Sequence, residues 1–423
     1  MNEQLRQAET AGVGVDTVSR FADALARSLD EEMRKAYRPT ERKTLRRFSV
    51  GEVAEITGIS ANNLRQRHND KTLPHVETDS RGHRTYAATD IQAIREVMAR
   101  TSKTGDLFRP GRRGPEDHLQ VLSVVNFKGG SSKTTTSIHL AQRWALRGYR
   151  VLAIDLDPQG SLSTFFGLRP ELDFEEPDAL TIYDAICYDD PVAGVRQRPL
   201  RDVIRKTYFP NLDMVPASLL LSEYETETAH ALSANAVARE HNVQPPHDIF
   251  AVRLAKALGA VEADYDLVVI DCPPQLGFTT LSALAASTGL IVTVVPGMLD
   301  VASMSQFLKL ASETMRAVQG ATHTQDEWDF LKFLVTRYEP ADGPQIQMSS
   351  YLRHILGGHV LKEAMLKSTA ISDAGMTHQT IYEVDPKQLV RSTLERAVTS
   401  MNAVSNEIEK VIQAAWGRSA NGA

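Results

Sequence analysis

Along most of the chain, the spacing of apolar residues switches between two patterns: short continuous runs and helical periodicity. Five short apolar runs are separated by segments that mostly show helical periodicity: 121–127, 151–155, 267–271, 290–295 and 331–335. Such runs are typical of strands buried on both faces, and their alternation with helices predicts an α/β fold with a mainly parallel, doubly wound sheet. The stretch 171–210, with many Asp and Pro residues, is expected to be irregular and exposed.

The first 40 residues show helical periodicity alone. Their apolar stripe recurs at three- and four-residue steps: Val18, Phe21, Leu25, Leu29, Met33 and Ala36. This spacing predicts an amphipathic helix. The stripe suits a helix that packs on its own domain and the seam of a dimer equally well. We assign 1–44 as an N-terminal helical segment and a candidate dimerisation element.

Residues 45–100 carry the start and stop signals of a small, α-rich domain. Ser49 precedes a short apolar helix that ends at Gly58, and Ser60 caps a second helix over 61–68. This helix–turn–helix spacing places a second helix in the major groove of DNA. The outward residues of that helix can donate to base edges or phosphates: Asn62, Asn63, Arg65, Gln66 and Arg67.

A hairpin around Gly82 is predicted over 76–86, followed by an amphipathic helix that opens at Thr89 and Asp90. Segments 48–54, 63–65 and 82–86 resemble the MerR-type winged helix–turn–helix, whose second helix and wing contact DNA. The resemblance implies DNA contacts for these residues: Asn62, Asn63, Arg65, Arg67, Arg81, His83 and Arg84. The alternative is a helical interaction module with a solvated basic face.

The charge balance changes meaning when it is divided along the chain. The 47 Lys and Arg residues against 53 Asp and Glu give a formal charge of −6, which taken whole argues against a uniformly basic nucleic-acid binder. However, residues 41–118 sum to +4 and residues 119–423 to −9. The acidic total therefore conceals a basic module that coincides with the helix–turn–helix pattern.

Composition also limits the compartment. Residues 101–118, rich in Gly, Pro, Arg and Lys, are expected to form a flexible basic linker. Only two cysteines are present, Cys187 and Cys272, which excludes a disulfide scaffold and a Cys-cluster zinc site and fits a reducing cytoplasm. No apolar stretch reaches the about 20 residues of a membrane span, and the start lacks a signal-peptide core. We expect a soluble, cytoplasmic protein.

The segment 121–136 joins an apparent strand to a Gly/Ser loop and a helix. The small residues of the loop allow backbone N–H groups to converge on phosphate oxygens, with the helix dipole behind them. Lys133 then reaches the β and γ phosphates, and the Thr134 hydroxyl can bind Mg²⁺. The strict G-x-x-x-x-G-K-[ST] pattern is not met, because position 127 is Phe and position 132 is Ser.

Two acidic motifs argue against the alternative that the Gly/Ser loop binds no ligand. Asp155 and Asp157 follow the next strand, where ligands bind in such sheets, so we expect them to point at the phosphates. Asp271 ends a third apolar strand, the Walker-B arrangement that holds Mg²⁺ through its water shell. The combination predicts a nucleotide site that uses ATP and Mg²⁺.

The pattern Lys128-Gly-Gly-x-x-Lys133-Thr134 with Asp155-x-Asp157-Pro-Gln-Gly resembles the deviant-Walker ParA/MinD family of dimerising P-loop ATPases over most of 119–423. The resemblance implies that Lys128 contacts the partner subunit's nucleotide and that Asp157 orients the attacking water. It also implies Mg²⁺ contacts for Thr134, and through water for Asp157 and Asp271. The implied ATP contacts are Lys128, Gly129, Gly130, Ser131, Ser132, Lys133, Thr134 and Thr135. Most family members have Gly at position 132.

A helix–turn–helix ahead of such a domain resembles the large plasmid partition ATPases, and among them those of the RepABC replication–partition systems, through 380–384 and Arg391. That resemblance implies slow ATP hydrolysis stimulated by DNA and a ParB-type partner, an ATP-dependent homodimer, non-specific nucleoid binding and autorepression of its operon. Arg391, with Arg396 and either Arg353 or Lys367 nearby, is a candidate for the non-specific DNA patch on a helix begun near Pro386. A solvated helix face is the alternative.

The sequence bears on three alternative functions: a membrane ATPase, a biosynthetic enzyme and a transcription regulator. A MinD-like membrane ATPase requires a basic amphipathic C-terminal helix, whereas 407–416 is acidic on its polar side, so we expect no membrane binding. A biosynthetic ligase or reductase on the same scaffold lacks support, because no cysteine set for an iron–sulfur centre is present. An ATP-responsive transcription regulator without a partition role stays open.

Overall fold

The computed structural model describes residues 17, 19–21, 24, 25, 27, 28, 43–103, 105–108, 113–168, 179–189, 194, 196–322 and 327–418. The chain divides into two compact units, 1–44 and 45–423. Within the first unit, the described residues between 17 and 28 are helical, and Phe21 and Leu25 of the predicted stripe are exposed. The other stripe positions, Val18, Leu29, Met33 and Ala36, lie outside the described residues, so the dimer seam stays a prediction.

The second unit begins with the predicted winged helix–turn–helix. Its elements are β1 Phe48–Ser49, α1 Val50–Thr57, α2 Ala61–Asn69, β2 Thr85–Tyr86 and α3 Ala88–Thr101. Ser49 caps α1 in a reciprocal capping box with Glu52, and Gly58 ends it in the left-handed conformation. Ser60 caps α2 by accepting from the Asn63 backbone N–H. The start and stop signals in the sequence are thus confirmed.

The wing differs in detail from the predicted hairpin. One bridge, Thr78 with Arg84, closes the turn at Gly82, whose φ is 78°. Beyond it the Thr85 N–H still donates to the Glu77 carbonyl of the outgoing segment at 2.8 Å, and the returning strand β2 also pairs with β1. The hairpin is therefore anchored to the start of the domain, which a local pattern cannot show because the paired residues lie 36 and 38 positions apart in sequence.

Within the described residues, seven strands form one sheet in the order β5-β6-β4-β7-β3-β8-β9. The strands are β3 Gln120–Val125, β4 Val151–Asp155, β5 Arg205–Lys206, β6 Leu212–Val215, β7 Leu267–Asp271, β8 Gly289–Val294 and β9 Phe330–Val335. Neighbours are parallel except for the edge pair of β5 with β6. The predicted mainly parallel sheet is confirmed, with β5 and β6 added to it.

Helices cover both faces of this sheet. They are α4 Lys133–Leu146, α5 Ser161–Phe165, α6 Ile182–Ile186, α7 Leu200–Val203, α8 Leu221–Glu240, α9 Phe250–Gly259, α10 Phe278–Ala286, α11 Met298–Thr322, α12 Gly343–Leu356, α13 Thr369–Gly375 and α14 Arg391–Ala415. Short 3₁₀ turns lie at Gly105–Phe108, Glu262–Asp264, Gly357–His359 and Pro386–Gln388. Leu152 and Ile154 of β4 face one core, and Val151 and Ala153 face the other. Burial on both faces explains the continuous apolar runs.

Three expectations about connecting segments need correction. The stretch 171–210 is not irregular throughout, because its described part contains α6 and α7, whose apolar residues are buried under the sheet. Part of the predicted flexible linker is anchored by buried Phe108. The last helix begins at Arg391 rather than near Pro386, since the backbone of Val390 is extended.

The winged helix packs directly on the α/β layer. Leu64 of α2 and Ile91 of α3 belong to the same apolar cluster as Ile138 and Trp144 of α4. A shared core of this kind joins the two modules without a flexible hinge. The boundaries 45–100, 101–118 and 119–423 that we predict nevertheless stay predictions. No helix in the described part of the chain is long and apolar enough to cross a membrane.

Polar contacts reinforce the same junction. The buried guanidinium of Arg143 on α4 contacts Glu55 Oε1 of α1 at 3.1 Å, and the same oxygen accepts from Asn402 Nδ2 of α14 at 2.5 Å. Arg95 of α3 donates to the Arg147 carbonyl just past the end of α4. The helix that begins at the Gly/Ser loop therefore contacts the winged helix at its opposite end.

Candidate functional site

The loop between β3 and α4 is tied to its neighbours by polar side chains. Asn126 donates to the Thr293 carbonyl of β8 and accepts from the Lys128 backbone N–H at 3.1 Å. Thr293 Oγ1 donates to Ser131 Oγ at 3.1 Å, and Thr336 Oγ1, past β9, donates to the Ser131 carbonyl at 3.1 Å. The loop is thereby held above the carboxyl ends of three adjacent strands, where ligands bind in such sheets.

Two loop residues adopt left-handed backbone conformations. Gly130 has a φ of 75° and Ser132 a φ of 67°, immediately before α4 begins at Lys133. Glycine adopts this conformation freely, whereas a side chain costs about 1 kcal/mol there. The Ser132 departure from the glycine pattern therefore keeps the path of the loop at the expense of local strain.

Lys133 lies where its ammonium can serve a phosphate. Its side chain is largely buried, and Nζ lies 3.4 Å from the Lys128 carbonyl. Burial lowers the pKa of Lys133, while the nearby carboxylates Asp271 and Asp157 raise it. The three residues that the sequence assigns to the site are thus close enough to influence one another electrostatically.

Asp271 fits a magnesium role on two grounds. Ser137 Oγ donates to its Oδ1 at 3.0 Å, but Oδ2 is buried without a hydrogen bond from any residue that the structure describes. Burial raises the pKa of Asp271, and the adjacent Thr134 and Ser137 hydroxyls partly counter this. A buried carboxylate oxygen beside a hydroxyl is a suitable oxygen donor set for a hard cation that keeps most of its water.

Asp155 and Asp157 take different positions, which corrects one expectation. Asp155 is fully buried and accepts from the Ser163 N–H and hydroxyl, both at 2.8 Å, so it does not point at the phosphates. It lies opposite Asp271 in the register of β4 with β7, and burial together with that charge raises its pKa. Asp157 is partly exposed, and its backbone N–H donates to Asp155 Oδ1 at 3.1 Å. Asp155 therefore positions Asp157.

Lys128 lies at the front of the loop but is engaged within its own chain. Its Nζ is 2.8 Å from Asp300 Oδ1, in the first turn of α11. Gly129 and Gly130 are exposed beside it, while Ser131 is buried and Thr134 and Thr135 are partly exposed. The predicted nucleotide residues are therefore contiguous on one edge of the sheet, with Lys128 at its outer side.

Sequence reasoning missed two residues at this edge. Asp300 belongs to no recognisable sequence motif, although it lies shortly after the end of β8. Arg337 lies two residues after the end of β9 and has a φ of 50°, and its Nη1 lies 3.4 Å from the Gly130 carbonyl. Left-handed non-glycine residues cluster at ligand sites. The sequence signal that could have identified Arg337 was its position one residue after Thr336, close to the end of a strand. The carboxyl ends of parallel strands lie at one edge of the sheet, where the loop also lies.

The predicted recognition helix α2 presents its polar residues outward. Asn62, Asn63 and Arg65 are exposed, and Arg67 is partly so. Arg65 Nη1 donates to Asn62 Oδ1 at 3.0 Å, and Arg67 Nε donates to Asn63 Oδ1 at 2.9 Å. These contacts pre-arrange the side chains on the exposed face while leaving other donors available.

The wing lies against that helix. Arg84 Nη2 donates to Asn69 Oδ1 at 2.8 Å, which joins the wing to the end of α2. Arg81 and His83 are exposed at the turn, where Asp79 Oδ1 accepts from both of their backbone N–H groups. The predicted DNA contacts on α2 and the wing therefore lie next to each other, joined by the contact of Arg84 with Asn69.

Arg391 forms an exposed ion pair with an acidic neighbour on its own helix. It is the first residue of α14, and Glu395 accepts from its Nε at 2.7 Å in an exposed pair. Glu395 raises the pKa of Arg391 above its ordinary value. Arg396 donates to the Lys367 carbonyl at 3.4 Å, and Arg353 donates to that of Lys362. Of the two predicted neighbours, Lys367 contacts Arg396 of α14 through its backbone carbonyl.

Comparison with known proteins agrees with both modules. Residues 119–323 match the family model described as an AAA domain, and residues 48–104 match the MerR HTH family regulatory protein model. A putative replication protein A of Rhizobium rhizogenes is 43% identical over 419 residues, covering 99% of this chain and 100% of that protein. The chromosome partitioning protein ParA of Caulobacter vibrioides is 30% identical over 258 residues, covering 60% of this chain and 84% of the relative.

Solved structures show the same fold. The structure of a partition protein matches with a TM-score of 0.60 at 19% identity, over 96% of this chain and 99% of that one. The near full-length relationship to the replication protein covers the winged helix, the phosphate loop and the acidic strand ends together. The chain therefore belongs to the family of ParA-type partition ATPases that carry an N-terminal helix–turn–helix domain.

Proposed function

We propose that this chain is a plasmid partition ATPase that hydrolyses ATP to ADP and phosphate with Mg²⁺. The observation that carries the proposal is the convergence of the Gly/Ser loop, Lys133, Asp157 and Asp271 at one sheet edge. Lys133 and the loop N–H groups would bind the phosphates. Thr134 would hold the cation directly, and Asp271 and Asp157 would contact it through water. Bound Mg²⁺ would neutralise charge that develops on the transferred phosphoryl group.

The proposed catalytic roles follow from position. Asp157 is partly exposed and fixed by Asp155, so it is suited to orient a water for attack. Lys128 is at the outer side of the loop, where a second protomer would approach. A lysine that acts across a dimer resembles an arginine finger supplied in trans, and it would make hydrolysis depend on dimerisation.

Two modes of DNA binding are part of the proposal. The basic surface of α2 and the wing would bind an operator and repress the protein's own operon, with α2 in the major groove. A separate patch that includes Arg391 would bind nucleoid DNA non-specifically in the ATP dimer. A ParB-type centromere-binding partner would stimulate hydrolysis and release that dimer. Cycles of this kind would move plasmid copies apart in the cytoplasm, on the nucleoid.

The second candidate is an ATP-responsive transcription regulator without a partition role. The observation that favours it is the shared core between the winged helix and α4, which links the operator surface to the nucleotide loop. In that case ATP would bind but would not be turned over in response to DNA and a partner. Turnover therefore separates the two functions.

ATP-driven dimerisation tests the proposed nucleotide chemistry. Sedimentation of the full chain with ATP and Mg²⁺ should show a dimer that is absent with ADP. Lys133→Ala should abolish the ATP effect, whereas Asp157→Ala should keep the dimer and prolong it, because binding is retained and hydrolysis is lost. A wild-type chain whose association state is the same with ATP and with ADP would contradict the proposal.

A further inference from the structure

The pair of Lys128 with Asp300 places the proposed trans-acting lysine on its own protomer. Nζ and Oδ1 are 2.8 Å apart, and the side chains are 43% and 17% exposed, respectively. Asp300 lies in the first turn of α11, where the positive end of the helix dipole favours a carboxylate. The backbone of Lys128 is held by Asn126, so both ends of the pair are constrained.

The surroundings of the pair are apolar and accessible. Met298 and Leu299, which directly precede Asp300, are 72% and 77% exposed, and Phe127, which precedes Lys128, is 42% exposed. Phe127 also contacts Phe307 of α11, with ring centroids 6.2 Å apart. Large apolar side chains around a charged pair are typical of a surface that a second protein covers. A second copy of this chain is the occupant that the proposed function requires.

Resting on that proposed function, we propose that Asp300 is a positioning residue that retains Lys128 in cis until the ATP dimer forms. One ammonium cannot serve the carboxylate of its own chain and the phosphates of a partner at the same time. Closing the dimer therefore requires that the pair separates, and ATP competes with Asp300 for the same cation. The pair thus opposes dimerisation of the nucleotide-free chain.

Symmetry amplifies the effect. A twofold dimer contains two such pairs, so the factor by which one pair opposes closure enters the dimer dissociation constant as its square. A partly exposed ion pair is worth roughly threefold in an equilibrium constant. Two of them amount to about a tenfold change.

The test is the ATP-dependent dimer dissociation constant of full-length Asp300→Asn, measured by sedimentation with ATP and Mg²⁺. The variant keeps the size of the side chain and removes its charge, so we expect about tenfold tighter dimerisation and faster unstimulated hydrolysis. Asp300→Glu should return the constant toward the wild-type value. Asp248→Asn removes an exposed pair with Lys256 and serves as the matched control, with no expected change.

A double-mutant cycle isolates the pair from general effects on α11. In a Lys128→Met background, Asp300→Asn should no longer tighten the dimer, because no ammonium is left to retain. Equal tightening in both backgrounds, or a weaker dimer in the single variant, would overturn the inference. If the wild type dimerises with ATP and Asp300→Asn has the same dimer dissociation constant as the wild type, the inference is overturned as well. Absence of ATP-dependent dimerisation in the wild type would instead refute the proposed function on which it rests.

Discussion

Ser132 precedes α4 with a φ of 67° and a ψ of 27°, a conformation that glycine adopts without strain. Ser132→Gly should therefore raise the free energy of unfolding by up to about 1 kcal/mol, because relief of strain outweighs the added freedom of the unfolded chain. Urea unfolding of the nucleotide-free protein measures this change.

The neighbouring serine provides the matched control. Ser131 accepts from Thr293 through its hydroxyl, so Ser131→Gly should lower the free energy of unfolding. If both glycine variants destabilise the protein to the same extent, the strain assigned to Ser132 is absent.

His139 supplies a pH-dependent contribution to stability. It is buried on α4, its Nδ1 is 2.6 Å from the Thr135 carbonyl, and its Nε2 accepts from the Ile381 N–H at 3.4 Å. Burial lowers the pKa of His139 from 6.5 to about 4. The unfolded chain therefore takes up a proton first as pH falls, and stability present above pH 6.5 should decline by about 3 kcal/mol by pH 4.

Urea unfolding between pH 7 and pH 4 checks this contribution. His139→Gln should show a smaller loss over that interval, while the same change at the exposed His230 should leave the pH dependence as in the wild type. An identical pH dependence in wild type and His139→Gln would contradict the assignment.

Among the elements, β4 and β7 match the predicted apolar runs at both ends, because each strand is buried on both faces and ends in an aspartate. β6 was missed: its Leu212–Val215 segment contains Asp213, which accepts hydrogen bonds from Lys206 of the paired strand β5 and from the distant Tyr265. A buried charge of this kind breaks the apolar pattern, and its compensation is visible only in three dimensions.

The junction of α1 with α4 and α14 leads to a stability prediction. Glu55→Ala removes the acceptor of buried Arg143 and of Asn402, so the free energy of unfolding should fall by about 1–2 kcal/mol; the half-exposed carboxylate keeps the effect below that of a fully buried pair. Chemical denaturation measures it. Glu96→Ala, which breaks an exposed i,i+4 pair with Arg100, should change stability by less than about 0.5 kcal/mol. Equal effects would show that Arg143 does not depend on Glu55.

Mutations should affect the two proposed DNA-binding surfaces independently of each other. Arg65→Ala on α2 should weaken operator binding by about 1–3 kcal/mol and leave ATP binding intact, since Arg65 is exposed on the face opposite the core. Arg391→Ala should spare the operator and weaken ATP-dependent retention on non-specific DNA. Filter binding at several salt concentrations reads both, because each lost phosphate contact reduces the slope of log affinity against log salt by about 0.9. Loss of both activities in each variant would argue for one shared surface.

At the scale of the whole molecule, the charge division and the order of motifs predicted the two modules, but not how they are joined. The loop, Lys133, Asp157 and Asp271 were found because each follows a strand end, and parallel strands bring their ends together. Asp300 was missed because its ion pair with Lys128 joins segments far apart in sequence. Asp155 was expected at the phosphates, because its contacts with Ser163 depend on how the chain folds back after β4.

The most direct test of the central claim is ATP turnover by the full chain with and without DNA and a ParB-type partner protein. We expect slow hydrolysis by the chain alone, clear stimulation when DNA and partner are both present, and loss of turnover in Lys133→Ala and Asp157→Ala. Turnover that does not respond to DNA and partner, or that persists in Asp157→Ala, would contradict it.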